Sequence, residues 1–152
     1  MKLKSLHEAL LGDWSGEKSL WFDPKAAPHA VCASTLSVAT EALGQFLALR
    51  YRWSFEGRPQ EGLLLVGNDN AKDAVSAAWV DSFHSSGSVM QFTGSATEDG
   101  FEVLGSYAAP PGPDWGWSVA LKRVDAKRLE LAMFNIPPGG EPERAVTLAW
   151  VR

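Results

Sequence analysis

The strongest constraint on the fold is a series of ten strand-like runs that follow one another along the chain. The runs lie at residues 13–22, 30–41, 45–56, 60–68, 72–83, 88–98, 101–108, 115–124, 128–135 and 144–152. Short turn signals such as Asp99-Gly100 separate most of them, and the Pro-rich segments 110–113 and 137–140 cannot continue a strand ladder. Regular spacing of this kind predicts a meander in which strands adjacent in sequence pair with each other.

A meander of about ten strands is expected to close on itself, because closure removes exposed strand edges. A β-sandwich usually needs Greek-key crossovers, and no connection in this sequence is long enough to carry one. Alternation supports strands with two different faces, as with Val75, Ala77, Trp79 and Asp81 on one face of the fifth run. The sequence therefore predicts an all-β, closed up-and-down antiparallel barrel, without deciding which face points inward.

A short helix is predicted before the first strand, at about residues 5–11. Ser5 followed by Glu8 fits a capping box, and Gly12 suits the position just after a helix. One face of this segment carries three leucines, namely Leu3, Leu6 and Leu10. We expect the helix to plug one end of the barrel, and residues 1–152 to form one domain.

Charge and composition exclude several classes of protein. The net charge is −4 and the basic residues are scattered, so we do not expect nucleic-acid binding. No apolar run is long enough to span a bilayer, and His7 and Glu8 interrupt the apolar stretch that a secretion signal would need. Cys32 is the single cysteine, which excludes an internal disulfide and a cysteine zinc cluster. These features together favour a reduced, cytoplasmic location.

A set of short motifs spread along the chain points to a known family. The motifs are Leu11-Gly12-Asp13-Trp14-Ser15-Gly16, Gly67-Asn68-Asp69-Asn70, Ala78-Trp79-Val80-Asp81-Ser82-Phe83-His84-Ser85-Ser86, Gly105-Ser106-Tyr107 and Pro113-Asp114-Trp115-Gly116-Trp117. Their combination resembles DUF1579, a bacterial family of unknown function, from about residue 8 to the end. Gly12-Asp13-Trp14 also resembles the Gly-x-Trp signature of calycins, in which the Trp closes one barrel end.

The resemblance implies a calycin-like barrel, related in architecture to lipocalins, fatty-acid-binding proteins and nitrobindins, and it brings no established activity. Nitrobindin-like barrels hold haem through a histidine near the C-terminus, whereas the last histidine here is His84. We therefore do not expect haem or another cofactor. His7, His29 and His84 lie in separate segments without metal-ligand spacing, so we expect no metal site.

Aromatic and charged residues in the strands suggest a binding function. Seven tryptophans either fill the core or line a pocket, and barrels of this size can enclose a small ligand. Our interpretation is a non-enzymatic barrel that binds a small apolar or aromatic molecule with one polar end. The candidate ligand-binding residues, with Trp and Tyr as walls, Arg and Asp as head-group partners and His as a titrating gate, are Trp21, Arg50, Arg52, Trp79, Asp81, His84, Tyr107 and Trp117.

Each candidate also has a structural interpretation. Arg50 and Arg52 share one strand face, and they clamp a head group only if that face points inward; otherwise they form an outer basic face. Asp81 and His84 either satisfy a turn or, if a turn begins near Phe83, form an acid–base pair in an enzyme.

Other positions and other functions stay open as well. Trp117 can pack against Tyr107 at a barrel end instead of framing a ligand. A barrel with a filled core, acting as a homodimeric interaction module, is a further alternative. Because the helix plugs one end, any ligand is expected to enter at the other end, near the Trp-rich loops.

Overall fold

A computed structural model describes residues 2–69, 71–72 and 74–152, with side chains from residue 6 onward. Within these residues, ten antiparallel strands form a closed barrel in which neighbours in sequence pair and the first strand pairs with the last. The closed up-and-down barrel predicted from the sequence is confirmed. The elements are α1 Lys2–Leu10, β1 Gly12–Leu20, β2 Ala30–Glu41, β3 Phe46–Phe55, β4 Arg58–Asp69, β5 Ala74–Asp81, β6 Met90–Ala96, β7 Gly100–Tyr107, β8 Trp115–Asp125, β9 Arg128–Ile136 and β10 Glu143–Val151.

Strand alternation decides which side chains form the core. On β5, the face that carries Val75, Ala77, Trp79 and Asp81 is buried, while Val80 between them is exposed. The same period of two runs through the other strands, so one continuous apolar core fills much of the interior. Tryptophan and leucine are its most frequent large residues, and tryptophan is among the residues that favour strands.

The helix α1 packs at one end of the barrel, which we call the helix end. Leu6 and Leu10 are buried in the core, and the indole Nε1 of Trp14 donates a hydrogen bond of 2.9 Å to the backbone oxygen of Leu10. The helix begins at Lys2, so Ser5 lies inside it and the predicted capping box at its start is wrong. The side chain of Ser5 lies outside the described residues. No helix in the described part of the chain is both long and apolar enough to span a bilayer.

Three strands, β1, β5 and β6, end two residues earlier than the sequence pattern predicts. β5 ends at Asp81, because both oxygens and the backbone of this residue are engaged in the turn and network that follow. β1 ends at Leu20, and the chain enters the loop 21–29. Since α1 joins the start of β1 and the odd-numbered strands run in the same direction, the loop 82–89 between β5 and β6 lies at the opposite end. We call this opposite end the loop end.

Candidate functional site

Polar and charged groups lie among aromatic rings inside the loop end of the barrel. Alternation from Trp14 along β1 directs the side chain of Lys18 inward, where it is only 1 % exposed. The other members come from β3, β5, β8 and the loop 82–89. We call this set the Lys18 cluster, and it consists of Lys18, Tyr51, Trp53, Trp79, Asp81, His84 and Trp117.

The carboxylate of Asp81 is 4 % exposed and is fully engaged within the protein. Its Oδ2 accepts a hydrogen bond of 2.6 Å from the hydroxyl of Tyr51, and its Oδ1 accepts bonds from the backbone N–H groups of Phe83 and His84 at 2.8 and 2.9 Å. The indole of Trp79 in turn donates to the oxygen of Tyr51 at 2.9 Å. Burial and the negative charge of Asp81 raise the pKa of Tyr51 well above 10.0, so this side chain remains a hydroxyl donor.

Gly62 makes the contact between Tyr51 and Asp81 possible. Tyr51 on β3, Gly62 on β4 and Asp81 on β5 lie in one row across the sheet. The ring of Tyr51 crosses β4 above Gly62, and a Cβ atom at that position would lie 2.2 Å from both Cζ and Oη of the tyrosine. Only glycine therefore leaves room for a hydrogen bond that spans two strand positions.

Lys18 is a buried basic side chain that forms no ion pair with a described carboxylate. Its Nζ atom lies 3.0 Å from the centroid of the Trp53 ring, and no described carboxylate lies within ion-pair distance of it. Burial lowers the pKa of Lys18 from 10.5 to about 7, an effect that the charge of Asp81 opposes. Near neutral pH the free protein therefore contains both the ammonium and the amine form of this side chain.

The imidazole of His84 lies in the middle of the aromatic rings. Its centroid is 6.0 Å from that of Trp53, 5.7 Å from that of Trp79 and 5.8 Å from that of Trp117. Burial and the positive charge of Lys18 lower the pKa of His84 from 6.5 to about 4, and Asp81 opposes this shift. At neutral pH the ring is therefore uncharged.

Three ring nitrogens of the cluster are buried without a hydrogen-bond partner among the described residues. They are Nε1 of Trp53, Nε1 of Trp117 and Nε2 of His84. An indole N–H is a donor only, so two of the three atoms require an acceptor that the described protein does not supply. Buried polar groups in proteins nearly always have a partner, which makes this concentration of unpaired atoms the most informative feature of the interior.

The chain matches one known protein family over almost its whole length. The model of a family described as "Protein of unknown function (DUF1579)" matches residues 3–152. The chain belongs to the DUF1579 family. No curated protein gives a significant match. The family match spans every strand of the barrel and therefore includes the whole Lys18 cluster of this DUF1579 protein.

Of the candidate residues from the sequence, the structure brings four together: Trp79, Asp81, His84 and Trp117. Sequence reasoning did not include Lys18, Tyr51 and Trp53 among the candidate residues of this DUF1579 protein. Counting every second residue from Trp14 would have placed Lys18 on the inward face of its strand.

Two further aromatic candidates lie at the loop end but outside the Lys18 cluster. The half-buried Tyr107 donates a hydrogen bond of 2.6 Å to Oδ1 of Asn135. Trp21 lies in the loop 21–29, where the guanidinium carbon of Arg144 is 5.1 Å from its ring centroid.

Arg50 and Arg52 lie on the outside of the barrel, because their neighbours Tyr51 and Trp53 point inward. The condition for an interior head-group clamp, that the arginine face points inward, is not met. Arg50 instead forms an exposed ion pair of 3.7 Å with Glu41. Both arginines line a shallow depression of about 1110 Å³ on the outer surface of β1–β5.

Asp81 and His84 meet at a turn, in the way that the structural interpretation describes. The carboxylate of Asp81 accepts from the backbone N–H of His84, and no hydrogen bond joins it to the imidazole. Ser82 is turned outward, where its Oγ accepts from the backbone of Glu61 and donates to Gln60. Among the described residues, no group of three or more His, Cys, Asp or Glu side chains is arranged to hold a metal ion.

Proposed function

We propose that this DUF1579 protein binds a small molecule with an apolar or aromatic body and one polar end, within the Lys18 cluster. The observation that carries the proposal is the group of buried, unpaired ring nitrogens on Trp53, His84 and Trp117 beside the uncompensated Lys18. A ligand that supplies acceptor atoms would satisfy groups that are otherwise costly to bury. The carboxylate of Asp81 is hydrogen-bonded to the backbone of His84 and not to its imidazole, so binding is favoured over the Asp81–His84 acid–base mechanism.

The aromatic rings suit a flat or apolar ligand body. The rings of Trp79 and Trp117 stack with centroids 5.5 Å apart and an interplanar angle of 11°. Such walls favour planar or hydrocarbon groups, because they offer large apolar surfaces with polar edges. Displacement of the half-buried Phe83 and His84, both on the loop 82–89, would expose these rings to a ligand that enters from the loop end.

The closed helix end supports a kinship with calycin-like barrels, which we include in the proposal. Trp14 of the Gly-x-Trp element lies under α1 and is bonded to it. The guanidinium carbon of Arg152 lies 4.2 Å from the ring centroid of Trp14. An end closed in this way leaves the loop end for ligand entry.

Native mass spectrometry of protein purified directly from cells tests the proposal. We expect a bound small molecule that is released on denaturation. The variant Trp117→Phe keeps an aromatic ring but removes one unpaired N–H, and it should lose much of this ligand. The matched control is Trp150→Phe, since the indole of Trp150 already donates to Oγ of Ser34 at 3.0 Å. Protein that carries no ligand, with a crystal structure showing only packed side chains in the cluster, would count against binding.

An interaction module is the second candidate, and the outer surface of the barrel favours it. Large apolar side chains are exposed on the outside at Phe46, Val89 and Leu104, and they line a groove of about 750 Å³. A surface of this kind can bury itself against a second copy of the chain. Sedimentation velocity over a range of concentrations discriminates the candidates, since a homodimer that dissociates in Leu104→Asp would support the module.

A further inference from the structure

We propose that the polar end of the ligand is a carboxylate, held by Nζ of Lys18 together with the indole N–H groups of Trp53 and Trp117. This inference rests on the proposed binding function and gives its ligand a chemical class. It goes beyond the arginines considered from the sequence, because those lie outside the barrel.

The first argument is the mismatch between donors and acceptors in the cluster. The unpaired indole nitrogens of Trp53 and Trp117 can only donate, and Lys18 in its ammonium form also only donates. The one carboxylate nearby, that of Asp81, already accepts three hydrogen bonds from the protein. The missing component is therefore an acceptor with several lone pairs, which a carboxylate provides on two oxygens.

The second argument is charge. A buried cation usually has a paired anion, and Lys18 has none within ion-pair distance among the described residues. The charge of Asp81 lies in the same cluster but not in contact with Nζ, so one carboxylate would supply the contacting anion that Lys18 lacks. A phosphate would bring about two negative charges, whereas His84 is uncharged at neutral pH and the described arginines lie outside the cluster. The site therefore favours a monocarboxylate over a phosphate.

The third argument is the arrangement of the rings. Lys18 lies against the face of Trp53, and the rings continue from Trp53 through His84 to Trp117 at spacings of 6.0 and 5.8 Å. A carboxylate beside Lys18 would leave its apolar body among these rings. The class of ligand that fits is an aromatic or aliphatic monocarboxylic acid.

Binding of such an acid should take up a proton. The titratable groups that face Lys18 are Asp81 from β5, Cys32 opposite it on β2, His84 from the loop 82–89, and Tyr51 through its bond to Asp81. The pKa of Lys18 is about 7 in the free protein, and a bound carboxylate would raise it. The affinity for the acid should therefore fall by about tenfold for each pH unit above pH 7, until the pKa of the complex is reached.

Isothermal titration calorimetry tests the inference with benzoate, 2-naphthoate and decanoate, each compared with its primary amide. At pH 6.5 we expect at least one acid to bind about tenfold or more tightly than its amide, because a charge-assisted bond is lost in the amide. At pH 8.5, titrations in two buffers of different ionisation enthalpy should show uptake of nearly one proton. Lys18→Met should remove both effects, whereas Lys122→Met, at an exposed position, should keep them.

The outcomes separate this inference from the proposed function. Amides that bind as tightly as their acids would overturn the carboxylate but leave small-molecule binding in place. Acid binding without proton uptake, or unchanged in Lys18→Met, would also overturn it, as would inorganic phosphate that competes as well as the acids. If none of the three acids binds, the carboxylate is wrong, and the native mass spectrum of protein from cells decides the binding function separately.

Discussion

Nζ of Lys18 lies 3.0 Å from the centroid of the Trp53 ring, inside a barrel whose other buried side chains are mostly apolar. The face of an indole attracts a cation, but this attraction does not replace the hydration that Lys18 loses on burial. Burial outweighs the favourable contacts and lowers the pKa of Lys18 to about 7. The free protein is therefore destabilised by this side chain whenever it is protonated.

Lys18→Met should stabilise the free protein most at low pH. The unfolded chain keeps a proton on Lys18 up to about pH 10.5, whereas the folded protein releases it near pH 7. The free energy of unfolding of the wild type therefore increases as the pH rises from 7 to 10.5. It decreases as the pH falls toward 7, where the folded protein must protonate the buried amine. The advantage of Lys18→Met over the wild type should shrink by on the order of 3 kcal/mol between pH 6 and pH 9.5.

Urea unfolding at pH 6, 8 and 9.5 measures this difference. Lys122→Met is the control, because that lysine is exposed on β8 and should show no such pH dependence. A constant difference between Lys18→Met and the wild type over this range would contradict the burial of an amine with a low pKa.

Asp81→Asn should destabilise the protein by about 2 kcal/mol. The amide keeps the shape of the carboxylate, but its NH₂ group cannot accept the bond from Tyr51, whose oxygen already accepts from Trp79. Chemical denaturation at pH 8 checks this value. Asp13→Asn, at an exposed position, should change stability by no more than about 0.5 kcal/mol. Equal stability of Asp81→Asn and the wild type would show that the network contributes little.

Gly62→Ala should break the same network without removing a polar atom. The added methyl group would occupy the position of the Tyr51 ring, so this ring must move away from Asp81. Overpacking of this kind costs about 1–3 kcal/mol. In the double variant this loss should not add fully to that of Asp81→Asn, since both substitutions remove the same hydrogen bond between Tyr51 and Asp81. Gly112→Ala is the matched control, because the nearest atom to a Cβ there is 3.9 Å away. Full additivity of the two losses would contradict a shared mechanism.

The sequence predicted the barrel well because its information is local and repeated. Turn residues and alternation recur in every strand, and most strand bounds agree with the prediction within about two residues. The end of β5 is one of the two-residue differences, and there a side chain acts on the backbone. Asp81 ends β5 early because its carboxylate accepts hydrogen bonds from the backbone N–H groups of Phe83 and His84. The pattern of apolar residues alone does not predict these bonds.

The candidate site was predicted only in part, because it depends on how separate strands pair. Trp79, Asp81, His84 and Trp117 lie in motifs that drew attention to them, whereas Lys18 lies in a polar segment without such a motif. Its position near Trp53 follows from the closure of the barrel and the inward face of β1. The arginines on β3 needed the same knowledge of the inward face, which one sequence does not provide.

Arg152→Ala should loosen the helix end while leaving the Lys18 cluster intact. The guanidinium of Arg152 donates to the backbone oxygens of Ala9 and Leu11 at 2.6 and 2.7 Å, and it lies over Trp14. These carbonyls at the end of α1 lack helical partners, so the arginine acts as a C-terminal cap. We expect a loss of about 1–2 kcal/mol.

Hydrogen–deuterium exchange distinguishes this local effect from general destabilisation. In Arg152→Ala, amides of α1 should exchange faster, while those of β5 and β8 around the Lys18 cluster should change little. Arg58→Ala, which removes an exposed arginine at the opposite end, is the control and should leave α1 as it is. Arg152→Lys should recover only part of the protection, because an ammonium group cannot reproduce the two directed bonds and the planar stacking of a guanidinium. Unchanged exchange of α1 in Arg152→Ala would show that Leu6 and Leu10 hold the helix without the cap.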